Sequence, residues 1–139
     1  IGGRAGRHVR LKGSSLMAKS RTELMVDRLR DLQAGTPDIE GSAVVSVDGL
    51  IMASSTEVPP VRYTKPAMSA AMLSLGERIA SELGRGIVDQ VYIHGDDGYV
   101  ILMAVGEEAV LTALIRENAK LGLIFLDMRR AADDLDKLV

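Results

Sequence analysis

The sequence has no cysteine and no tryptophan, a single phenylalanine (Phe125) and only 3% aromatic residues. The missing thiols exclude disulfides, cysteine nucleophiles and thiolate metal sites, and they fit a reducing, cytoplasmic setting. With so few rings, the core has to be built from Leu, Ile, Val, Met and Ala, within a hydrophobic content of 47%. No stretch holds the ~18 consecutive apolar residues that a membrane-spanning helix needs, so no membrane association is expected. The only histidines are His8 and His94, so there is little material for acid–base or metal chemistry.

Charge is unevenly spread. Residues 1–16 carry Arg4, Arg7, Arg10 and Lys12 and no acid; the rest holds 13 of the 17 basic residues against all 19 acidic ones, a net of −6. A basic leader of Gly, Arg and Ser is the composition of a disordered or appended tail, and Met17 resembles a natural start. Residues 1–19 are therefore expected to be a leader rather than a nucleic-acid arm, and 20–139 a single domain, since 139 residues have room for one core.

Periodicity lays out the elements. Ser20 and Glu23 have capping-box spacing, and Met25, Leu29 and Leu32 follow at helical intervals, which predicts a helix over 21–34 ended by Gly35 and Pro37. Residues 41–46 and 50–54 read as strands joined at Asp48-Gly49, a dipeptide suited to the positive φ angles of a tight hairpin. Pro59-Pro60 marks a loop. A second helix is expected from Thr64 or Lys65, with Thr64 as N-cap, to Leu83, with Gly84 as its stop. Strands are expected over 87–94 and 99–105, turning at Asp96-Asp97-Gly98, and over 109–116, where alternation outweighs a helical alternative. The last helix, 120–138, has Leu121, Ile124, Phe125, Met128, Ala132, Leu135 and Leu138 on one face. The order is αββαβββα, an α/β layered fold.

The second helix is unusual. Met68, Met72, Leu75, Ile79 and Leu83 form one apolar stripe; Ala67, Ala70, Ala71, Ser74 and Ser81 form a stripe of small residues; Leu73, Gly76 and Ala80 form a third. A surface helix normally keeps a polar half, and one that lacks it is buried on more than one side. A single small domain offers one core, so the second cover is expected to be another chain.

Chemistry finds little support. The Gly-x4-Gly-Lys-Ser/Thr loop that wraps phosphates is absent, and Gly84-Arg85-Gly86 follows a helix, so it reads as a helix stop. His94, Asp96 and Asp97 share one tight turn, a poor geometry for tetrahedral metal. The acid pairs Glu107-Glu108 and Asp133-Asp134 fall in a turn and on a solvated helix face. No catalytic, metal-binding or cofactor-binding residues are assigned, and no enzyme activity is expected.

The run from Ile39 to Leu50 with its Asp48-Gly49 turn, followed by Ile51-Met52-Ala53-Ser54, resembles the signature of the Roadblock/dynein light chain family. The run from Leu121 to Leu126, leading into Arg129-Arg130-Ala131-Ala132 and Leu135, is similar to that family's closing helix, and the resemblance spans about residues 24–138. It implies a profilin-like fold, a five-stranded, antiparallel-rich sheet with helices on both faces. It also implies a cytoplasmic homodimer joined through the second helix and third strand, acting as a non-catalytic adaptor or regulator of a small Ras-like GTPase, with no nucleic-acid partner. The interface residues it suggests are Met68, Met72, Leu75, Gly76 and Ile79 with Val91 and Ile93, without dividing them among core, twin and GTPase. A ligand-sensing domain of related architecture is the alternative. It needs a cavity with convergent polar groups, for which Gln90, Tyr92 and Tyr99 are the few inward candidates.

Overall fold

The structure, a computed structural model, describes residues 19–55 and 66–139. The expected leader, the Pro59-Pro60 loop and the Thr64 cap lie outside the described residues.

Helix α1 (Arg21–Gly35) begins with the expected reciprocal cap. The Glu23 N–H donates to Ser20 Oγ and the Ser20 N–H donates to Glu23 Oε1, both at 3.1 Å. Met25, Leu29 and Leu32 are its buried side. Strand β1 (Ile39–Ser46) starts two residues before its expected beginning, because Ile39 is buried and pairs with Ile115. Strand β2 (Ile51–Ser54) follows the turn, where Gly49 has φ +90°. Helix α2 (Pro66–Glu82) ends on Gly84 at φ +70°, with the Arg85 N–H donating to the Ala80 carbonyl at 2.7 Å, the type of closure a left-handed glycine permits.

Strand β3 (Gln90–Gly95) is shorter than its expected 87–94, since Ile87 stays outside the sheet and is 93% exposed. Strands β4 (Gly98–Val105) and β5 (Ala109–Ile115) and helix α3 (Leu121–Asp136) complete the chain. The residues around Leu111 form a strand rather than a helix because neighbours flank them on both sides: β5 pairs with β1 and with β4. The five strands lie in the order β2-β1-β5-β4-β3, each pairing antiparallel.

The sheet separates two unequal layers. Helices α1 and α3 cover one face, tied together by Arg28–Asp134 at 2.7 Å and by the Thr36 hydroxyl donating to Asp127 at 2.8 Å. Beneath them Leu29, Val44, Ile101, Met103, Leu111, Met128 and Leu135 form a continuous core. Among the described residues helix α2 covers the other face alone, and the buried cluster there is Leu73, Leu102 and Val110. Burying a large aliphatic side chain contributes about 1.5–3 kcal/mol, so the two-helix layer carries most of the hydrophobic stabilisation. The two-sided apolar reading of β4 agrees: Ile101 and Met103 enter the larger core, and Leu102 the smaller one.

Candidate interaction surface on α2 and the β3 edge

One side of α2 faces the sheet, and it is the side with the smaller residues. Ser69, Ala70 and Leu73 are buried, and Gly76 and Ala80 are half-buried. Gly76 permits the close approach: a Cβ there would stand 2.9 Å from Val91 Cγ2.

The larger stripe consequently turns outward along one flank. Met68 is 62% exposed, and Met72, Leu75, Ile79 and Leu83 are exposed as well. From Met68 to Ile79 the flank runs about 16 Å at 1.5 Å per residue. The charges of α2 lie off this line, with Arg78 and Glu82 loosely paired at 3.9 Å on the open surface.

Beside this flank no described residue covers the sheet. Met68, Ser69 and Met72 face Ile93, Val100, Leu102, Thr112 and Leu114 across a groove of about 300 Å³. Its hydroxyls differ from those on the opposite face. There Thr36 donates to Asp127 and Ser42 donates to Gln33, each at 2.8 Å. Thr112 is buried in the groove wall, and its Oγ1 has no hydrogen-bond partner among the described residues. A wider, polar hollow of about 540 Å³ is rimmed by Asp38, Glu40, Asp97, Arg116, Glu117 and Asn118. Arg116 stands 3.7 Å from Asp38 there, both open to solvent, which makes it a solvated charged surface.

Among the described residues strand β3 forms an edge of the sheet, bonded to β4 alone. Its sequence Gln-Val-Tyr-Ile-His-Gly has no proline or lysine, and its register with β4 is unbroken. An edge without such blocking features is open to another strand. Val91 and Ile93 share the α2 face with their partners Leu102 and Val100. Tyr92 and His94 point to the α3 side, where Tyr92 meets Phe125 edge-on at 5.9 Å and His94 stacks on Tyr99 at 4.3 Å.

The seven residues singled out by sequence therefore separate. Met68, Met72 and Ile93 line the groove, and Leu75 and Ile79 continue the exposed flank. Gly76 and Val91 meet each other inside the chain. Two exposed features had no comparable signal: Ile87, which reads as a strand residue, and the β1–β2 hairpin tip with Val47, Leu50 and Ile51 outward. Short apolar runs do not reveal which of their members a neighbour covers.

No helix of the described residues is long and apolar enough to cross a membrane. The family model for the Roadblock/LC7 domain matches residues 25–115. The uncharacterized protein MJ0310 of Methanocaldococcus jannaschii is 36% identical over 111 residues, covering 80% of this chain and 96% of that protein. The structure of gliding protein MglB from Thermus thermophilus superposes with a TM-score of 0.75 at 21% identity, over 86% of this chain and 91% of that one. Profilin IB of Acanthamoeba castellanii gives 0.55 at 17% identity, over 78% and 94%. At these identities the structural likeness establishes a shared fold, a profilin-like layered sheet.

Proposed function

This chain belongs to the Roadblock/LC7 domain family, and from that premise we propose that it is a non-catalytic cytoplasmic regulator, acting as a homodimer that binds a small Ras-like GTPase. The observation that carries this reading is the outward apolar flank of α2, Met68 to Ile79, beside the open edge of β3. Contiguous apolar surface of that kind marks an interaction site on a soluble domain. Two copies meeting edge to edge at β3 would continue one sheet into the next and bring their α2 helices side by side. Pairing would bury much of the exposed stripe and leave the upper surface of the helix pair for the GTPase, the partner implied by the resemblance of the Ile39–Ser54 motif.

The reading is tested in two steps. Sedimentation equilibrium at micromolar concentration should give a dimer mass. Affinity capture from native lysate should then retain a small GTPase, identified by mass spectrometry and assayed for its bound nucleotide. A monomer that retains no GTPase rules the reading out.

One observation favours a second reading, a small-molecule sensor: the 300 Å³ groove with the orphaned Thr112 hydroxyl in its wall. A sensor of this kind would melt several degrees higher with an amphipathic ligand such as decanoate, and the gain would be lost in Leu102→Trp, which fills the groove.

A further inference from the structure

The tip of the β1–β2 hairpin carries a second apolar surface. Asp48-Gly49 supplies the turn, and turn chemistry asks for nothing apolar beside it. Yet Val47, Leu50 and Ile51 all project outward, Leu50 at 69% exposure, and none belongs to either buried cluster.

The tip is also held firmly. The Ser46 N–H donates to the Leu50 carbonyl at 2.8 Å, the Leu50 N–H donates to Ser46 Oγ at 3.2 Å, and the Val47 N–H donates to the Glu108 carbonyl at 2.9 Å. Gly49 closes against the first turn of α2, where a Cβ would stand 2.9 Å from Ala67 Cα. Apolar side chains on a backbone already fixed lose little conformational entropy on binding, which favours recognition.

Position and charge narrow the occupant. β2 and β3 are opposite edges of the sheet, about 19 Å apart across four strand spacings, so a strand joint between two copies at β3 lies away from the tip. Its neighbours Asp48, Glu107 and Glu108 are exposed acids, which repel anionic lipid and nucleic acid. The tip adjoins α2 at Ala67, one residue from Met68, so a protein seated on α2 reaches it without a gap.

We propose that this acid-rimmed apolar tip is a second contact for the GTPase, receiving an apolar patch bordered by Lys or Arg on that protein. The proposal rests on the reading that a GTPase docks on α2.

The test uses the full chain and the purified small GTPases of the same genome, each loaded with GDP or a non-hydrolysable GTP analogue, with affinity followed by calorimetry. Leu50→Asp should weaken binding by about ten-fold or more, the effect of losing a central interface side chain, with dimer mass and melting temperature unchanged. Leu50→Ser repeats the measurement without added charge. Glu107→Lys with Glu108→Lys should also weaken binding and flatten its dependence on salt. If the wild type binds and the Leu50 variants bind within about two-fold of it, the tip contact is wrong and docking on α2 stands. If binding tightens in the lysine variant, the basic border is wrong. If no GTPase binds the wild type, the docking reading and this inference both fall.

Discussion

Gly76 on α2 and Val91 on β3 touch so closely that a Cβ on the glycine would stand 2.9 Å from Val91 Cγ2. That contact sets how near the helix rides over the edge strand. A mid-helix glycine costs roughly 1 kcal/mol against alanine, and overpacking costs about 1–3 kcal/mol.

For Gly76→Val the steric term wins, because a β-branched side chain brings two methyls into a space too tight for one carbon. The expected outcome is a loss of about 2 kcal/mol and a melting temperature lower by about 5–10 °C, read by calorimetry. A melting temperature at or above that of wild type would show that the helix moves away at no cost.

Leu75 is half exposed on the outward flank, so Leu75→Asp should leave the fold intact while placing an unpaired carboxylate in a helix-paired interface, where such a charge costs about 3–5 kcal/mol. Circular dichroism should be unchanged and sedimentation should show a monomer. A folded variant with a dimer mass would remove α2 from the interface.

Thr112 offers a stabilising change. An unsatisfied buried hydroxyl costs about 1–3 kcal/mol, and valine has nearly its shape. Thr112→Val should raise the midpoint of urea unfolding, by about 1 kcal/mol after conversion with the slope. A lower midpoint would mean that the hydroxyl has a partner in solution.

The α1 cap should respond to acid. The Glu23 carboxyl is held below its ordinary value of 4.5, first by the Ser20 backbone N–H and then by the Ser20 side chain. A carboxylate whose pKa is lowered by folding stabilises the fold above 4.5, and that contribution fades as pH falls from there through the lowered value. The stability difference between wild type and Glu23→Gln should therefore be present at neutral pH and close as pH falls from 4.5 through the lowered value. Ser20→Ala should cost about 1 kcal/mol and remove only the side-chain share of that acid dependence, since the backbone N–H of residue 20 still donates to Glu23. An unchanged difference at all pH values would mean that the cap is not formed.

Much of the fold is legible along the chain because its causes are short-range. Ser20 and Glu23 stand three residues apart, Asp48-Gly49 spans one turn, and the stripe from Ile124 to Leu135 repeats every three to four residues. The strand over Ala109–Ile115 is less plainly written, since Leu111, Leu114 and Ile115 also fit a helix, and it becomes a strand by pairing on both sides. The candidate surface is half legible. The excess of apolar residues on α2 is visible in one line of sequence, whereas the burial of Gly76 and Val91 against each other is not.

The sequence by itself determined the kind and order of the elements, the cap of α1, the turns, and the presence of more apolar helix surface than one sheet covers. Tertiary structure alone decided which flank of α2 stays outside, that β3 is an open edge, and that Leu50 stands clear of the core. The reason is clearance. Ser69, Ala70 and Gly76 let a helix approach a sheet closely, and once that side is seated, Met68, Met72, Leu75 and Ile79 have only the outside left.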